Sequence, residues 1–226
     1  FNGLKKDTKS WQVTTKLMDY DNYSDTTLKS LTHMMDDSYY LSEDGKYIFF
    51  ADKLDSTPDY GYYYDFNLYY KETDKKDAEA VKIDSGIISY CVNDKATLVT
   101  YIKDNNLYQY SVEDESKEKI DNDVTDWYVS DNGKIIVYKD NENNLYRIES
   151  GEDKEKLASD IFTVEYVTKD FKTVYYIKEE SLYMQEIGED KVKIDSDVRQ
   201  VIKIYETGEI YYVTDGDESL SLMDYV

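Results

Sequence analysis

The chain has 226 residues, 40% of them apolar and 26 of them tyrosine, which is enough to bury a core and excludes a disordered polypeptide. Forty-nine acidic against 27 basic residues give a formal charge of −22, a field that repels nucleic acid and anionic lipid and reads first as a solvated exterior. One cysteine, Cys91, excludes an internal disulfide, and together with the single histidine, His33, it is too little for a zinc site.

Residues 1–37 read as the end of an earlier repeat unit, with Phe1 to Leu4 as a third strand and Trp11 to Met18 as a fourth. The chain starts at Phe1 without Met and inside a repeat, so an upstream segment is expected, with room for a signal or membrane anchor. Asp19-Tyr20-Asp21-Asn22-Tyr23-Ser24-Asp25 alternates carboxylates as a hard cation needs. It lacks the Gly and closing Glu of an EF-hand, so it reads as a solvated turn, with Asp19, Asp21 and Asp25 as the calcium alternative. Leu28, Leu31, Met34 and Met35 are compatible with one short helix over 26–35, with His33 in a packing or surface role.

From residue 38 onward two markers repeat. The Leu-Tyr pairs at 68–69, 107–108, 145–146 and 182–183 are spaced by 39, 38 and 37 residues. The aliphatic residues Ile83, Ile120, Leu157 and Ile194, each within a lysine-rich K-x-K-I-D-like stretch, recur every 37. Two independent markers with one period establish an internal repeat. Full units are cut at 38–87, 88–124, 125–161 and 162–198, and a partial unit follows at 199–226.

Each unit opens with a strand and a turn. Ser42-Glu43-Asp44-Gly45-Lys46 and Ser130-Asp131-Asn132-Gly133-Lys134 are hairpin turns in which Gly takes a positive φ. Units two and four have Asp94-Lys95 and Asp170-Phe171 there, which predicts longer or strained turns. Second strands follow as continuous apolar runs such as Ile135-Ile136-Val137-Tyr138, as strands covered on both faces require. The run Tyr90-Cys91-Val92 predicts a buried structural thiol.

Four short strands in each repeat of 37–39 residues predict an all-β fold, a β-propeller of four-stranded antiparallel blades. One domain spans 1–226, with about five blades if the ring closes within this chain, or fewer than the parent's total if it is part of a larger propeller. The Ser-x-Asp-Gly-Lys turn and the Leu-Tyr third strand resemble the bacterial TolB-like, WD-like propeller repeats over about residues 38–226, without the proline of that turn. The bias to Tyr, Asp and Lys is similar to surface propellers of low-GC Gram-positive bacteria. That resemblance implies an extracellular or cell-surface protein tethered outside the membrane.

Chemistry is harder to find. With one histidine, a Ser-His-Asp site would have to use His33, and no serine sits in a nucleophile elbow. No pair among the 49 acidic residues is singled out for glycoside hydrolysis. The largest departure from the repeat is a 17-residue insert at 51–67, where unit two has five residues. Asp59, Tyr60, Tyr62, Tyr63, Tyr64 and Phe66 make it the candidate binding surface, since rigid amphipathic rings suit protein or glycan partners. The expectation is therefore a non-catalytic extracytoplasmic binding or scaffold propeller, not an enzyme, needing no cofactor and no nucleic acid. The alternatives are a carboxylate-based glycan hydrolase and the propeller half of a larger enzyme.

Overall fold

The computed structural model describes residues 39–52, 65–75, 79–215 and 221–224. Among them every regular element is a strand. The helix expected over 26–35 lies outside the described residues. The first repeat unit holds β1 (Tyr39–Leu41), β2 (Tyr47–Asp52), β3 (Phe66–Glu72) and the start of β4 (Val81–Val92). The remainder of β4 joins β5 (Leu98–Lys103), β6 (Asn106–Ser111) and β7 (Ser116–Asp121) in the second. The third is β8 (Val124–Val129), β9 (Ile135–Asp140), β10 (Leu145–Glu149) and β11 (Glu155–Ala158). The fourth is β12 (Thr163–Val167), β13 (Thr173–Lys178), β14 (Ser181–Glu186) and β15 (Val192–Asp195). β16 (Val198–Ile204), β17 (Glu209–Thr214) and β18 (Ser221–Asp224) form the last.

Within each sheet every strand pairs antiparallel with its neighbour in sequence, and units three and four are four-stranded sheets. The first two units share one seven-stranded sheet because β4 runs through both. The chain divides into two compact units, residues 1–121 and 122–226.

The turn between first and second strands is one structure used five times. The amide of Gly45, Ala96, Gly133, Phe171 or Gly208 donates to the carbonyl three residues earlier, at 2.7–2.9 Å. All five residues have positive φ, Ala96 at 54° and Phe171 at 56° included. The turns of units two and four are thus no longer than the others. They carry the strain instead, because a Cβ in the left-handed region crowds the next carbonyl. Buried anchorage holds them there, with Ala96 fully buried and Phe171 nearly so. In four of the five the leading polar side chain locks the turn. The Tyr47 amide donates to Ser42 Oγ at 2.9 Å, Ile135 to Ser130 Oγ at 2.9 Å and Thr173 to Thr168 Oγ1 at 3.0 Å. In unit two the Thr97 and Leu98 amides both donate to Asn93 Oδ1 at 2.8 Å. The third turn residue completes the loop, since Asp44 and Asn132 accept from the Lys46 and Lys134 amides at 2.9 Å.

A second left-handed residue marks the step from unit to unit. Gly86, Asp123, Asp160 and Asp197 have φ of 53–68°, and each precedes a buried aliphatic, namely Ile87, Val124, Ile161 or Val198.

Cores form where successive sheets meet. Within residues 122–226, Val137 and Leu145 of the third sheet pack with Val164, Val174 and Tyr176 of the fourth. Tyr175, Ile177 and Leu182 point the other way and pack with Val198, Ile204 and Ile210 of the last. The alternation of β13 therefore serves two cores, which explains its unbroken apolar run. Leu68, Leu107, Leu145 and Leu182 are all fully buried, each contributing about 1.5–3 kcal/mol.

Beside each leucine stands the tyrosine of the pair. Its ring stacks on the second-strand aromatic directly across the ladder, in Phe50–Tyr69, Tyr101–Tyr108, Tyr138–Tyr146 and Tyr176–Tyr183, with centroids 5.4–5.7 Å apart. Lysine ammoniums of the fourth-strand stretch lie over the same third-strand tyrosines: Lys82 on Tyr69, Lys117 and Lys119 on Tyr108, Lys154 on Tyr146 and Lys191 on Tyr183. The tyrosine and lysine content of the chain is thereby put to use in stacking and cation–π contacts.

Candidate functional site

Of the six insert residues singled out, Asp59, Tyr60, Tyr62, Tyr63 and Tyr64 lie outside the described residues, as do His33 and the cation candidates Asp19, Asp21 and Asp25. Phe66 is described. It begins β3, is half-buried, and meets Tyr90 of β4 edge to face at 5.9 Å. Asp65, just before it, brings Oδ2 to 3.7 Å from where a Cβ on Gly86 would stand, and Lys103 Cε lies 3.8 Å from that point. The root of the insert is thus fixed beside the step from the first unit to the second.

At that step sits a partly buried acid that sequence reasoning passed over as part of a repeat marker. Asp84 accepts from Lys103 Nζ at 2.9 Å and Lys117 Nζ at 2.6 Å, from the Tyr101 hydroxyl at 3.0 Å, and from the Ser85 amide at 2.8 Å. Burial alone would raise its pKa. The Lys117 and Lys103 ammoniums, with the Ser85 and Tyr101 donors, overturn that and bring it down to about 2. Burial, and then this carboxylate, push the Tyr101 phenol up. Such an acid stays charged and fully engaged at neutral pH, so its work is structural. The same position in the fourth unit, Asp195, accepts from the Tyr212 hydroxyl at 2.8 Å and the Ser196 amide at 2.8 Å. In the third unit it is Ala158.

A different environment surrounds Asp126 on β8. Burial holds its carboxyl above the usual range, and the Lys139 ammonium, the Trp127 amide and the Tyr128 hydroxyl only partly offset this. The Tyr128 hydroxyl lies 3.5 Å from Asp126 Oδ2 and donates to the Val164 carbonyl of β12 at 3.2 Å. Burial, then Asp126, and last Glu165 raise the Tyr128 phenol. Asp126, Tyr128 and Glu165 thus bring two carboxyls and a phenol together on the first strands of neighbouring sheets. A carboxyl raised by burial in such a setting, as Asp126 is, suits hydrogen bonding to a polar ligand or proton transfer. The sequence hint was available, because Asp126 and Glu165 interrupt otherwise apolar first strands.

Cys91 corrects an expectation. It is exposed, not buried, because strand alternation turns Tyr90 and Val92 toward the core and leaves the thiol on the opposite face. Among the described residues no group of three or more His, Cys, Asp or Glu is placed to hold a metal, and no helix is long and apolar enough to cross a membrane.

No protein-family model matches the chain, and no curated protein matches it in sequence. In structure it is similar to Porphyromonas gingivalis dipeptidyl peptidase 4, with a TM-score of 0.59 and 13% identity over 82% of this chain and 38% of that one. The fold is a β-propeller. The propeller is also similar to the Pyrococcus horikoshii acylaminoacyl peptidase, with a TM-score of 0.51 and 8% identity over 79% of this chain and 36% of that one. A third match is Kluyveromyces lactis Hsv2p, with a TM-score of 0.50 and 11% identity over 82% of this chain and 59% of that one. This propeller therefore spans little more than a third of these two peptidase chains. At such identities the likeness carries the fold. It also corrects the expectation that the protein is no enzyme, because this fold occurs within the chains of two peptidases.

Proposed function

We propose that these 226 residues are the propeller part of a larger enzyme that acts on peptides. One observation carries the reading: the match to dipeptidyl peptidase 4 takes in 82% of this chain but 38% of that one. The match to the acylaminoacyl peptidase has the same proportions. In this reading Asp126 and Tyr128 offer a polar pair to a peptide backbone, and the tyrosines of the insert supply aromatic contacts to the peptide or to a protein or glycan partner. A tethered, extracytoplasmic setting and a kinship with TolB-like propellers fit alongside it, and rest on the turn motif and the residue bias.

The test is made on the protein from its own cells, captured with an antibody to these residues. Its intact mass is measured, and hydrolysis of dipeptidyl and N-acyl-aminoacyl 4-nitroanilides is assayed. The 226 residues account for 26.6 kDa. A considerably larger polypeptide with hydrolytic activity is expected. A 26.6 kDa polypeptide that hydrolyses neither substrate refutes the proposal.

A further inference from the structure

Among the described residues the first strands β8, β12 and β16 each pair on one side only, with β9, β13 and β17. A strand edge that no other strand occupies is what an added strand requires, and on β16 the Val198 amide at its start is already taken by the Glu180 carbonyl at 2.7 Å. The three differ in charge. β8 contributes Asp126 and β12 contributes Glu165, whereas β16, of sequence VRQVIKI, carries Arg199 and Lys203 and no acid. In a chain of charge −22 this is a local reversal of sign.

β16 is also the most open of the three. Arg199, Gln200, Ile202 and Lys203 are all exposed, Ile202 by 50%. The period of 37 places Ile202 where Tyr128 and Glu165 stand in β8 and β12, both of them half-buried. Tyr205, just beyond the strand, is 46% exposed, and Lys203 Nζ lies 5.6 Å from its ring centroid. Among the described residues no carboxylate pairs with Arg199 or Lys203. Two register shifts in the β16–β17 pairing, at 198/200 and 201/203, keep the regular edge short. Such irregularities protect an edge from open-ended association and limit what it accepts to a short segment.

We propose that the free edge of β16 takes a short, extended, acidic peptide segment as an added strand. Its backbone pairs with β16, its carboxylates meet Arg199 and Lys203, and an apolar side chain covers Ile202. The inference rests on the proposed action on peptides and narrows that substrate class to acidic sequences in extended form. Backbone pairing supplies affinity, the two cations supply selectivity, and the charge contribution weakens with salt.

The experiment measures fluorescence anisotropy of a labelled hexapeptide alternating Glu and Val, with the full chain. The double variant Arg199→Glu/Lys203→Glu is expected to bind at least tenfold more weakly while its thermal unfolding stays unchanged. The same peptide N-methylated at alternate amides is expected to lose at least tenfold on the wild-type protein, a readout independent of whether the variant folds. Undiminished binding by the charge-reversed protein overturns the proposal, and so does equal binding of the N-methylated peptide, which would mark adhesion by charge alone. Wild-type dimers in sedimentation that the double variant abolishes would assign the edge to a second copy and overturn it as well. Loss of peptide binding leaves the intact-mass test untouched, and a 26.6 kDa native polypeptide leaves the binding result untouched, so the two readings fail separately.

Discussion

Asp84→Asn is the substitution whose outcome the structure specifies most fully. It keeps the shape of the side chain and removes the charge that holds Lys103 and Lys117. The carboxyl falls from 3.8 to about 2 on folding, and at about 1.4 kcal/mol per unit that shift corresponds to roughly 2.4 kcal/mol. Lys117 is half-exposed, so solvent screens part of this, and about 1.5–2 kcal/mol is expected at pH 7. The sign follows from a folded-state pKa below the unfolded one. The stabilisation is fully present above about pH 4 and disappears as pH falls through about 2, with roughly half left near pH 3. Urea denaturation of wild type and variant at pH 7, 5 and 3 reads this directly. The gap between the two curves should stay constant from pH 7 to 5 and shrink by about half at pH 3. A gap as large at pH 3 as at pH 7 would show that the carboxylate charge is not the source of the stability, and the argument built on the two lysines would fall.

Two further outcomes follow from the same kind of reasoning. Tyr146→Leu removes one ring from the Tyr138 stack and the seat of the Lys154 ammonium, and should lower stability by about 1–2 kcal/mol in urea denaturation, the sum of a stacking and an exposed cation–π contribution. Asp126→Asn should act in the opposite direction. The folded-state pKa of Asp126 is raised, so its ionisation costs stability as pH rises above the ordinary carboxylate range. The variant should be more stable than wild type at pH 7, with the advantage gone once both states are protonated below that range. Thermal unfolding followed across that pH span checks it, and a pH-independent difference would refute it.

Much of the architecture was legible because it depends on local chemistry. The Ser-x-Asp-Gly-Lys turn encodes its own hydrogen bonds, as Ser42 and Asp44 demonstrate, and the Leu-Tyr spacing reports the buried ladder. Of the two expectations for the turns at Ala96 and Phe171, longer or strained, the structure shows the strained one, with positive φ where propensity argues against it. Tertiary burial of those two side chains outweighs the local preference. The site was less legible for a different reason. Asp84 meets a lysine 33 residues away, and Tyr128 reaches a carbonyl 36 residues away, contacts that exist only once strand registers are set. The lysines over the tyrosines were visible as composition, but their pairing with the rings depends on the same registers. Cys91 went wrong because an apolar triplet was taken as buried throughout, when a strand buries alternate residues.

The left-handed residue at the head of each repeat also bears on how such a chain can grow. Gly86, Asp123, Asp160 and Asp197 each make the step to the next unit within a single left-handed residue, so the joint is contained in the copied segment itself. A stretch of 37 residues cut at the same point in two neighbouring copies brings its own connector and the aliphatic plug behind it. Gene duplication could therefore lengthen the array by whole steps with no new linker to evolve, and three of the four joints use Asp, which tolerates this geometry better than most side chains, where glycine would serve more readily.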